Sequence, residues 1–128
     1  MTQFVRRWLF AFWGIVILTL GLSGLLVYAQ DGYPQPIDAY INDYAGLLTA
    51  EDGARVKSLF ADLRHETGIE AVVVTIDSIS DYNTGDATLE SFATHLFNNW
   101  GLGDRTKNDG VLLLVAVGDR KVRIEVGA

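Results

Sequence analysis

The order of apolar segments after residue 39 predicts an α/β domain built around a small mixed sheet. Three observations support this class: two amphipathic helical patterns, two short and almost wholly apolar runs, and one alternating segment at the end of the sequence. A chain of 128 residues is long enough for one such domain and an N-terminal targeting segment. We therefore divide the chain into residues 1–29, a linker over 30–39 and a domain over 40–128.

The first predicted helix begins after Thr49, a residue type that favours the helix N-cap, and has acidic Glu51 and Asp52 in its first turn. Gly68 ends it. Its apolar residues recur at the spacing of one buried helical face, namely Val56, Leu59, Phe60 and Leu63.

The second predicted helix begins near Thr88 and ends at Gly101. An uninterrupted apolar stripe marks its buried face, formed by Leu89, Phe92, Ala93, Leu96, Phe97 and Trp100. Because each large side chain in such a stripe contributes roughly 1.5–3 kcal/mol on burial, this helix is expected to cover the core.

The two apolar runs, residues 71–76 and 111–117, predict interior strands, and a polar loop over 77–87 follows the first. A right-handed crossover through the second helix makes these strands parallel. Residues 118–120 predict a hairpin turn into an antiparallel edge strand with one face in water, because its apolar and charged residues alternate from Val122 to Val126. Residues 40–48 are interpreted as an ordered loop with apolar anchors.

The N-terminal segment is apolar and uncharged over residues 8–27, which is long enough to cross a bilayer as a helix. Arg6 and Arg7 precede it, so the positive-inside rule places the N-terminus in the cytoplasm and the body across the membrane. Two alternatives remain: a signal peptide cleaved after Ala29, or an uncleaved anchor. Pro34 and Pro36 disfavour helix in the linker that follows.

The composition excludes several classes of function. The net charge is −6, and because Arg6 and Arg7 belong to the N-terminal segment the body is more acidic still. An acidic body without a basic patch argues against nucleic acid as the partner. The absence of cysteine excludes a thiolate metal site and a cysteine nucleophile, and the motifs of serine hydrolases and phosphate-binding loops are absent too.

Carboxylates are the strongest candidates for chemistry. Asp119 follows the second interior strand, Asp109 precedes it, and Asp43 lies in the loop before the first helix. Ligands of open α/β sheets gather beyond the carboxyl ends of the strands, and hard cations prefer oxygen ligands. The alternatives are structural: Asp109 as a turn residue, Asp119 in a surface ion pair with Arg120, and Asp43 bonding its own backbone.

Five segments, in order and at compatible spacing, resemble the TPM domain family. They are Ile41-Asn42-Asp43-Tyr44-Ala45-Gly46-Leu47-Leu48, Glu66-Thr67-Gly68, Phe97-Asn98-Asn99-Trp100-Gly101-Leu102-Gly103, Gly110-Val111-Leu112-Leu113-Leu114-Val115-Ala116 and Asp119-Arg120-Lys121-Val122-Arg123-Ile124-Glu125-Val126-Gly127. The resemblance covers residues 40–127 and implies an α/β/α sandwich outside the cytoplasm.

The resemblance also implies sites and activities. Some members bind divalent cations, calcium among them, in an acidic cleft whose residues correspond to Asp43, Asp119 and Asp109. Plant members resemble acid phosphatases and act in photosystem II repair, and others are accessory proteins of membrane complexes. Family domains continue into helices that cover the sheet, so the domain over 40–128 is expected to be incomplete at its C-terminus.

Two functional hypotheses follow. The first is an exported or membrane-anchored accessory module, attached through residues 8–27, that binds a divalent cation and supports a membrane or envelope complex. The alternative is a metal-assisted acid phosphatase acting on phosphomonoesters, in which Asp43 and Asp119 position the cation and Arg120 contacts the phosphate. In both, the body lies at the membrane or in an extracytoplasmic space.

Overall fold

The fold is a small four-stranded sheet with two helices, as seen in a computed structural model that describes residues 32–127. The strands are β1 (Ile41–Asp43), β2 (Glu70–Ile76), β3 (Gly110–Ala116) and β4 (Lys121–Val126), and the helices are α1 (Ala50–Thr67) and α2 (Leu89–Trp100). The predicted α/β class with a small mixed sheet is confirmed. The predicted signal peptide or anchor, residues 1–29, lies outside the described residues.

Between residues 32 and 127, neither helix has the length and apolarity needed to cross a membrane.

The sheet has the strand order β1-β2-β3-β4. β2 and β3 are parallel, with α2 between them in sequence, and β3 and β4 form an antiparallel hairpin, as predicted. The interpretation of residues 40–48 as a loop is wrong for Ile41–Asp43, which pair in parallel with Val73–Thr75. Three residues are too few to show an alternating pattern, so pairing with β2 determines this strand.

The predicted helix ends are confirmed. The Thr49 side chain accepts a hydrogen bond from the backbone N–H of Asp52 (3.1 Å), and Gly68 closes α1 in the left-handed conformation. Thr88 caps α2 in the same way through Ser91, and Gly101 closes it.

The main core lies between α2 and one face of the sheet. Phe92, Leu96 and Ala93 of α2 are fully buried against alternate residues of the two central strands, namely Val72, Val74, Ile76, Leu112, Leu114 and Ala116. The predicted apolar stripe of α2 is therefore its packing face. Trp100, at the end of the stripe, is half-buried and its indole donates to the backbone carbonyl of Pro34 (2.8 Å).

The opposite face of the sheet is covered only in part. Ala71 and Val73 point to that face and are buried, and α1 is the helix that packs on β1 and β2. No residue of α1 is fully buried, and Leu59 is 63% exposed. The prediction of one buried face is wrong for Leu59, because the three-residue β1 offers this long helix only a narrow surface.

β4 is the edge strand that the alternation predicts, but the face in water is the apolar one. Val122, Ile124 and Val126 are 63%, 60% and 54% exposed, whereas Arg123 and Glu125 are half-buried. The register is the reason: Arg123 and Glu125 pair with Leu114 and Leu112, whose side chains point to the face that α2 covers.

Candidate functional site

Acidic residues line the edge of the sheet where β1, β2 and β3 end. Asp43 closes β1, Asp77 follows β2, and Asp119 lies in the turn after β3. Asp81 ends the short 3-10 helix Ile79–Asp81 next to them. We call these four residues the carboxyl rim. Two of the three predicted metal ligands, Asp43 and Asp119, thus lie at the same edge.

Asp43 organises the loop that follows β1. Its Oδ1 accepts from the backbone N–H of Leu47 (2.9 Å) and from the Thr75 hydroxyl, and its Oδ2 accepts from the N–H of Leu48 (2.9 Å). Burial on its own raises the pKa of Asp43, but the hydrogen bonds from Thr75, Leu48 and Leu47 outweigh it and hold the pKa below its usual value. Asp43 is therefore an ionised acceptor with few lone pairs left.

Asp119 joins the β3–β4 turn to the loop after β2. Its Oδ2 accepts from the backbone N–H of Ile79 (3.0 Å) and its Oδ1 from the Ser78 hydroxyl (2.8 Å). These two hydrogen bonds lower the pKa of Asp119. Each carboxylate oxygen has two lone pairs, so this carboxylate can still accept further ligands. The alternative of a surface ion pair between Asp119 and Arg120 is not observed. The Arg120 side chain is exposed and makes no ion pair with any residue between 32 and 127.

Asp77 is the immediate neighbour of Asp119 at the rim. Its backbone carbonyl accepts from the N–H of Gly118 (2.7 Å) and of Asp119 (3.3 Å). A Cβ atom placed on Gly118 would lie 2.9 Å from Asp77 Oδ1, so the two turns touch. Asp43, in contrast, is one strand further away: β2 separates β1 from β3, which puts their backbones about 10 Å apart.

A cleft of about 310 Å³ opens beside Asp119. Ser78, Ser80 and Lys121 line it together with the apolar start of α2. Lys121, which the sequence analysis did not identify as a candidate, brings a positive charge to the same cleft. The cleft therefore combines one carboxylate, two hydroxyls and one ammonium group.

The third predicted ligand, Asp109, lies at the opposite end of the sheet, immediately before β3. Its Oδ1 accepts from the backbone N–H of Asp104 (2.6 Å). Glu70 is at the same end and accepts from the N–H of Gly103 (2.9 Å). We call Glu70, Gly103, Asp104 and Asp109 the amino rim. The fold thus separates Asp109 from Asp43 and Asp119.

The amino rim is surrounded by basic residues. Arg64 lies 3.8 Å from Glu70 and lines a surface depression with Lys107 and Asp109. A second cleft there, of about 410 Å³, is lined by Arg105, Asp104, Asn108, Phe97 and Leu102. Because Arg64, Arg105 and Lys107 surround its acids, the amino rim is a weaker candidate for a cation than the carboxyl rim.

Sequence reasoning did not identify the side chains that hold the rim and the linker in place. Ser78 caps the 3-10 helix in a reciprocal capping box with Asp81, and their i, i+3 spacing was the available signal. Buried Asn42 accepts from the backbone N–H groups of Ile37 (2.8 Å) and Asp38 (3.1 Å). No local pattern marks Asn42, because its partners are set by the path of the linker.

A three-residue network fixes the start of the described chain to α2. Asp86 accepts from the Tyr33 hydroxyl (2.6 Å) and lies 2.7 Å from His95 Nδ1. Burial, and then the hydrogen bond to Asp86, raises the pKa of Tyr33 to about 12. His95 therefore has a structural role, because its contact with Asp86 joins α2 to the loop before it.

No group of three or more acidic or histidine side chains within residues 32–127 is assembled to hold a metal ion. A cation at the carboxyl rim would accordingly have two protein carboxylates at most in its direct reach, with water as its other ligand. Such a donor set suits a hard cation bound weakly.

Comparison with known proteins identifies one family, and the similar solved structures include the N-terminal domains of two bacterial proteins. The model of the TPM domain family matches residues 41–128. The solution structure of the N-terminal domain of a P. gingivalis protein is 36% identical, with a TM-score of 0.58, and the match covers 68% of this chain and 52% of that one. The N-terminal domain of a Corynebacterium glutamicum protein has the same TM-score of 0.58 at 17% identity, covering 75% of this chain and 58% of that one.

The present chain thus spans little more than half the length of either solved domain. The second likeness shows the fold alone. Among curated proteins, no match to this chain was found.

Proposed function

Since this chain belongs to the TPM domain family, we propose that it is an accessory module that binds a divalent cation, calcium being the first candidate, at its carboxyl rim. In this proposal the domain is an α/β/α sandwich displayed outside the cytoplasm or held at the membrane through residues 8–27. It supports a membrane or envelope protein complex rather than acting on nucleic acid.

The observation that carries the proposal is the unbalanced charge of the carboxyl rim. Asp43, Asp77, Asp81 and Asp119 lie along the edge where three strands end, and the nearest basic residues in sequence are Lys121 and Arg120. Asp43 and Asp119 are ionised at neutral pH, as aspartates ordinarily are, and hydrogen bonds lower the pKa of each further. A concentration of fixed negative charge attracts cations.

Asp119 and Asp77 are the residues that fit a hard cation best. Both are oxygen donors on adjoining turns, and Asp119 is fixed by Ser78 and Ile79 without using all of its lone pairs. Asp43 contributes mainly its charge, since its oxygens already accept from Thr75, Leu47 and Leu48. With so few protein ligands the expected Kd for calcium is about 10⁻⁴–10⁻³ M, the range of extracellular modules.

Calorimetry of the full chain in detergent micelles with calcium tests this proposal. The wild type should give a saturable heat, and Asp119→Asn should weaken binding about tenfold or more. Asp109→Asn is the matched control, because it makes the same change at the opposite end of the sheet and should leave the affinity unchanged. No heat at several millimolar calcium, or equal losses in both variants, would reject the carboxyl rim as the site.

One observation favours the second candidate, a metal-assisted acid phosphatase acting on phosphomonoesters. Lys121 lines the same cleft as Asp119, Ser78 and Ser80, so a phosphate there would meet an ammonium group and two hydroxyls. A bound cation would supply polarisation of a phosphoryl oxygen. Lys121, with exposed Arg120 beside it, would orient the anion, and Asp119 would hold the turn that presents them.

Turnover of p-nitrophenyl phosphate with added divalent cation separates this candidate from pure binding. Lys121→Gln should lower kcat/KM about tenfold, whereas Lys107→Gln, a matched change at the amino rim, should not affect it. Calcium binding without turnover would leave the accessory module as the function. Turnover that survives both Lys121→Gln and Asp119→Asn would place the activity elsewhere.

A further inference from the structure

The outer edge of β4 is exposed and suited to pairing with another strand. β4 is the last strand in the order β1-β2-β3-β4, and its pairing with β3 runs without a bulge from Lys121 to Val126. It contains no proline, and its charged Arg123 and Glu125 point towards the α2 side. Edge strands are usually protected by bulges, prolines or charged side chains, inward-pointing ones included. β4 has neither a bulge nor a proline, and its two inward charges, Arg123 and Glu125, are of opposite sign, so a second strand can pair with both of them.

The hydrogen bonds to β3 determine which backbone groups of β4 remain available. Gly127 donates to the carbonyl of Gly110 (3.1 Å), so these two residues form a hydrogen-bonded pair of the antiparallel ladder. Hydrogen-bonded pairs alternate with non-hydrogen-bonded pairs along such a ladder. The backbone N–H and C=O groups of Glu125, Arg123 and Lys121 are therefore hydrogen-bonded to β3 as well. The backbone groups of Val122, Ile124 and Val126 therefore point outward along the free edge.

The sequence of β4 is self-complementary about Ile124. In an antiparallel pair with a second β4 centred there, Ile124 faces Ile124 and Val122 faces Val126, so all three residues with outward backbone groups enter hydrogen-bonded pairs. Arg123 then faces Glu125 of the second copy in a non-hydrogen-bonded pair, where opposing side chains are closest. Within one chain Arg123 and Glu125 already form an ion pair at 3.2 Å, so the charges exchange partners rather than lose them.

Neighbouring registers are unfavourable. Centring the pair on Arg123 places two arginines opposite each other, and centring it on Glu125 places two glutamates opposite each other; like charges in facing positions are destabilising. In a register shifted by one residue, the outward backbone groups of one copy would face backbone groups of the other copy that are already bonded to β3. The shift would also place the side chains of the two copies on opposite faces of the joint sheet.

We propose that two copies of this chain associate edge to edge through antiparallel β4 strands in the register centred on Ile124. A second copy of β4 is the partner that fits this edge, because antiparallel self-pairing sets apolar residues opposite apolar residues and Arg123 opposite Glu125. The two sheets then form one continuous sheet across a two-fold axis at Ile124.

Disulfide cross-linking of the full chain tests the register, because the natural sequence contains no cysteine. Ile124→Cys places two thiols opposite each other, with Cα atoms about 5.5 Å apart, which a disulfide can span. Val122→Cys is the matched control: the residue is equally exposed, but its two copies would be about 14 Å apart at ~3.4 Å per residue. We expect cross-linked dimer with Ile124→Cys, little with Val122→Cys alone, and dimer again when Val122→Cys and Val126→Cys chains are mixed.

Charge reversal tests the same register independently. In the Ile124→Cys background, Arg123→Glu or Glu125→Arg alone should lower the cross-linking yield about tenfold, since two attractive pairs become two repulsive ones. Mixing the two reversed chains should restore it, and this rescue also shows that each variant is folded. The proposal would be overturned by equal cross-linking yields from Ile124→Cys and Val122→Cys, which is the result that association through residues 8–27 would give. Cross-linking yields that do not respond to charge reversal would overturn it too.

Discussion

The two ends of the sheet carry similar numbers of acids but surround them differently. At the carboxyl rim, Asp43, Asp77, Asp81 and Asp119 follow strand ends with Arg120 and Lys121 as the nearest bases in sequence. At the amino rim, Glu70, Asp104 and Asp109 lie among Arg64, Arg105 and Lys107. The difference leaves the first end with an excess of negative charge and the second close to neutral, and on this difference we base the proposed cation site.

The two ends also use their carboxylates differently in holding loops. Asp109 and Glu70 bind the backbone of Asp104 and Gly103, so the amino rim is a tight junction between the end of α2 and the start of β3. Asp119 bridges two turns through one backbone and one hydroxyl donor and retains lone pairs. Acid content alone therefore does not identify a binding site; the neighbouring charges and the lone pairs in use do.

The largest expected effect concerns the tight packing of the amino rim. Gly103 has φ 75°, and an added Cβ would lie 2.4 Å from the backbone N of Gly110. Gly103→Ala should therefore lower the free energy of unfolding by about 3 kcal/mol, combining backbone strain with overpacking. Urea denaturation measures this loss.

Gly85→Ala provides the matched control for that loss. Gly85 has a similar φ of 80° but open space around its Cα, so only the conformational cost of about 1 kcal/mol applies. Equal losses in the two variants would show that the close approach at the amino rim contributes nothing.

A smaller effect is expected from removing the loop-holding carboxylate at the carboxyl rim. Asp43→Ala leaves the N–H groups of Leu47 and Leu48 and the Thr75 hydroxyl without their acceptor, which should destabilise the fold by about 2 kcal/mol. Asp62→Ala, on the exposed side of α1, should change stability by no more than about 0.5 kcal/mol. A loss for Asp43→Ala as small as that of Asp62→Ala would contradict its role.

The smallest effect is the pH dependence contributed by Asp119. Because its pKa is lowered in the folded state, its contribution is fully present above the unfolded pKa of about 3.9 and is lost as pH falls through the folded pKa. Urea denaturation between pH 5 and about pH 2 should accordingly show a smaller loss of unfolding free energy on acidification, that is a flatter acid limb, for Asp119→Asn than for the wild type. Ser78→Ala, which removes one of the two donors, should flatten it in part; an unchanged limb in both variants would contradict the role of these hydrogen bonds.

Much of the fold could be predicted from local pattern, because the caps and the apolar stripe of α2 are local features. Thr49, Gly68, Thr88 and Gly101 mark the helix ends in the sequence and in the structure. β1 and the exposure of Leu59 could not be predicted, since both depend on how few residues of β1 pair with β2.

The candidate site was predictable only in part for a similar reason. The order of strands places Asp119 and Asp43 at one end and Asp109 at the other once the strand boundaries are known. The contacts of Asp119 with Ser78 and Ile79 join residues about forty positions apart, and no spacing rule reports them. The role of Lys121 in the cleft depends likewise on the fold of the hairpin.

Paramagnetic broadening of backbone amide signals by Mn²⁺ tests the central claim most directly, because it reports where a divalent cation sits. In the full chain in micelles, substoichiometric Mn²⁺ should broaden the amide signals of Asp77, Ser78 and Asp119 first and leave those of Asp104 and Asp109 sharp, and excess calcium should restore the broadened signals. Broadening that begins at Asp104 and Asp109, or that spreads evenly over exposed acids, would contradict a cation site at the carboxyl rim.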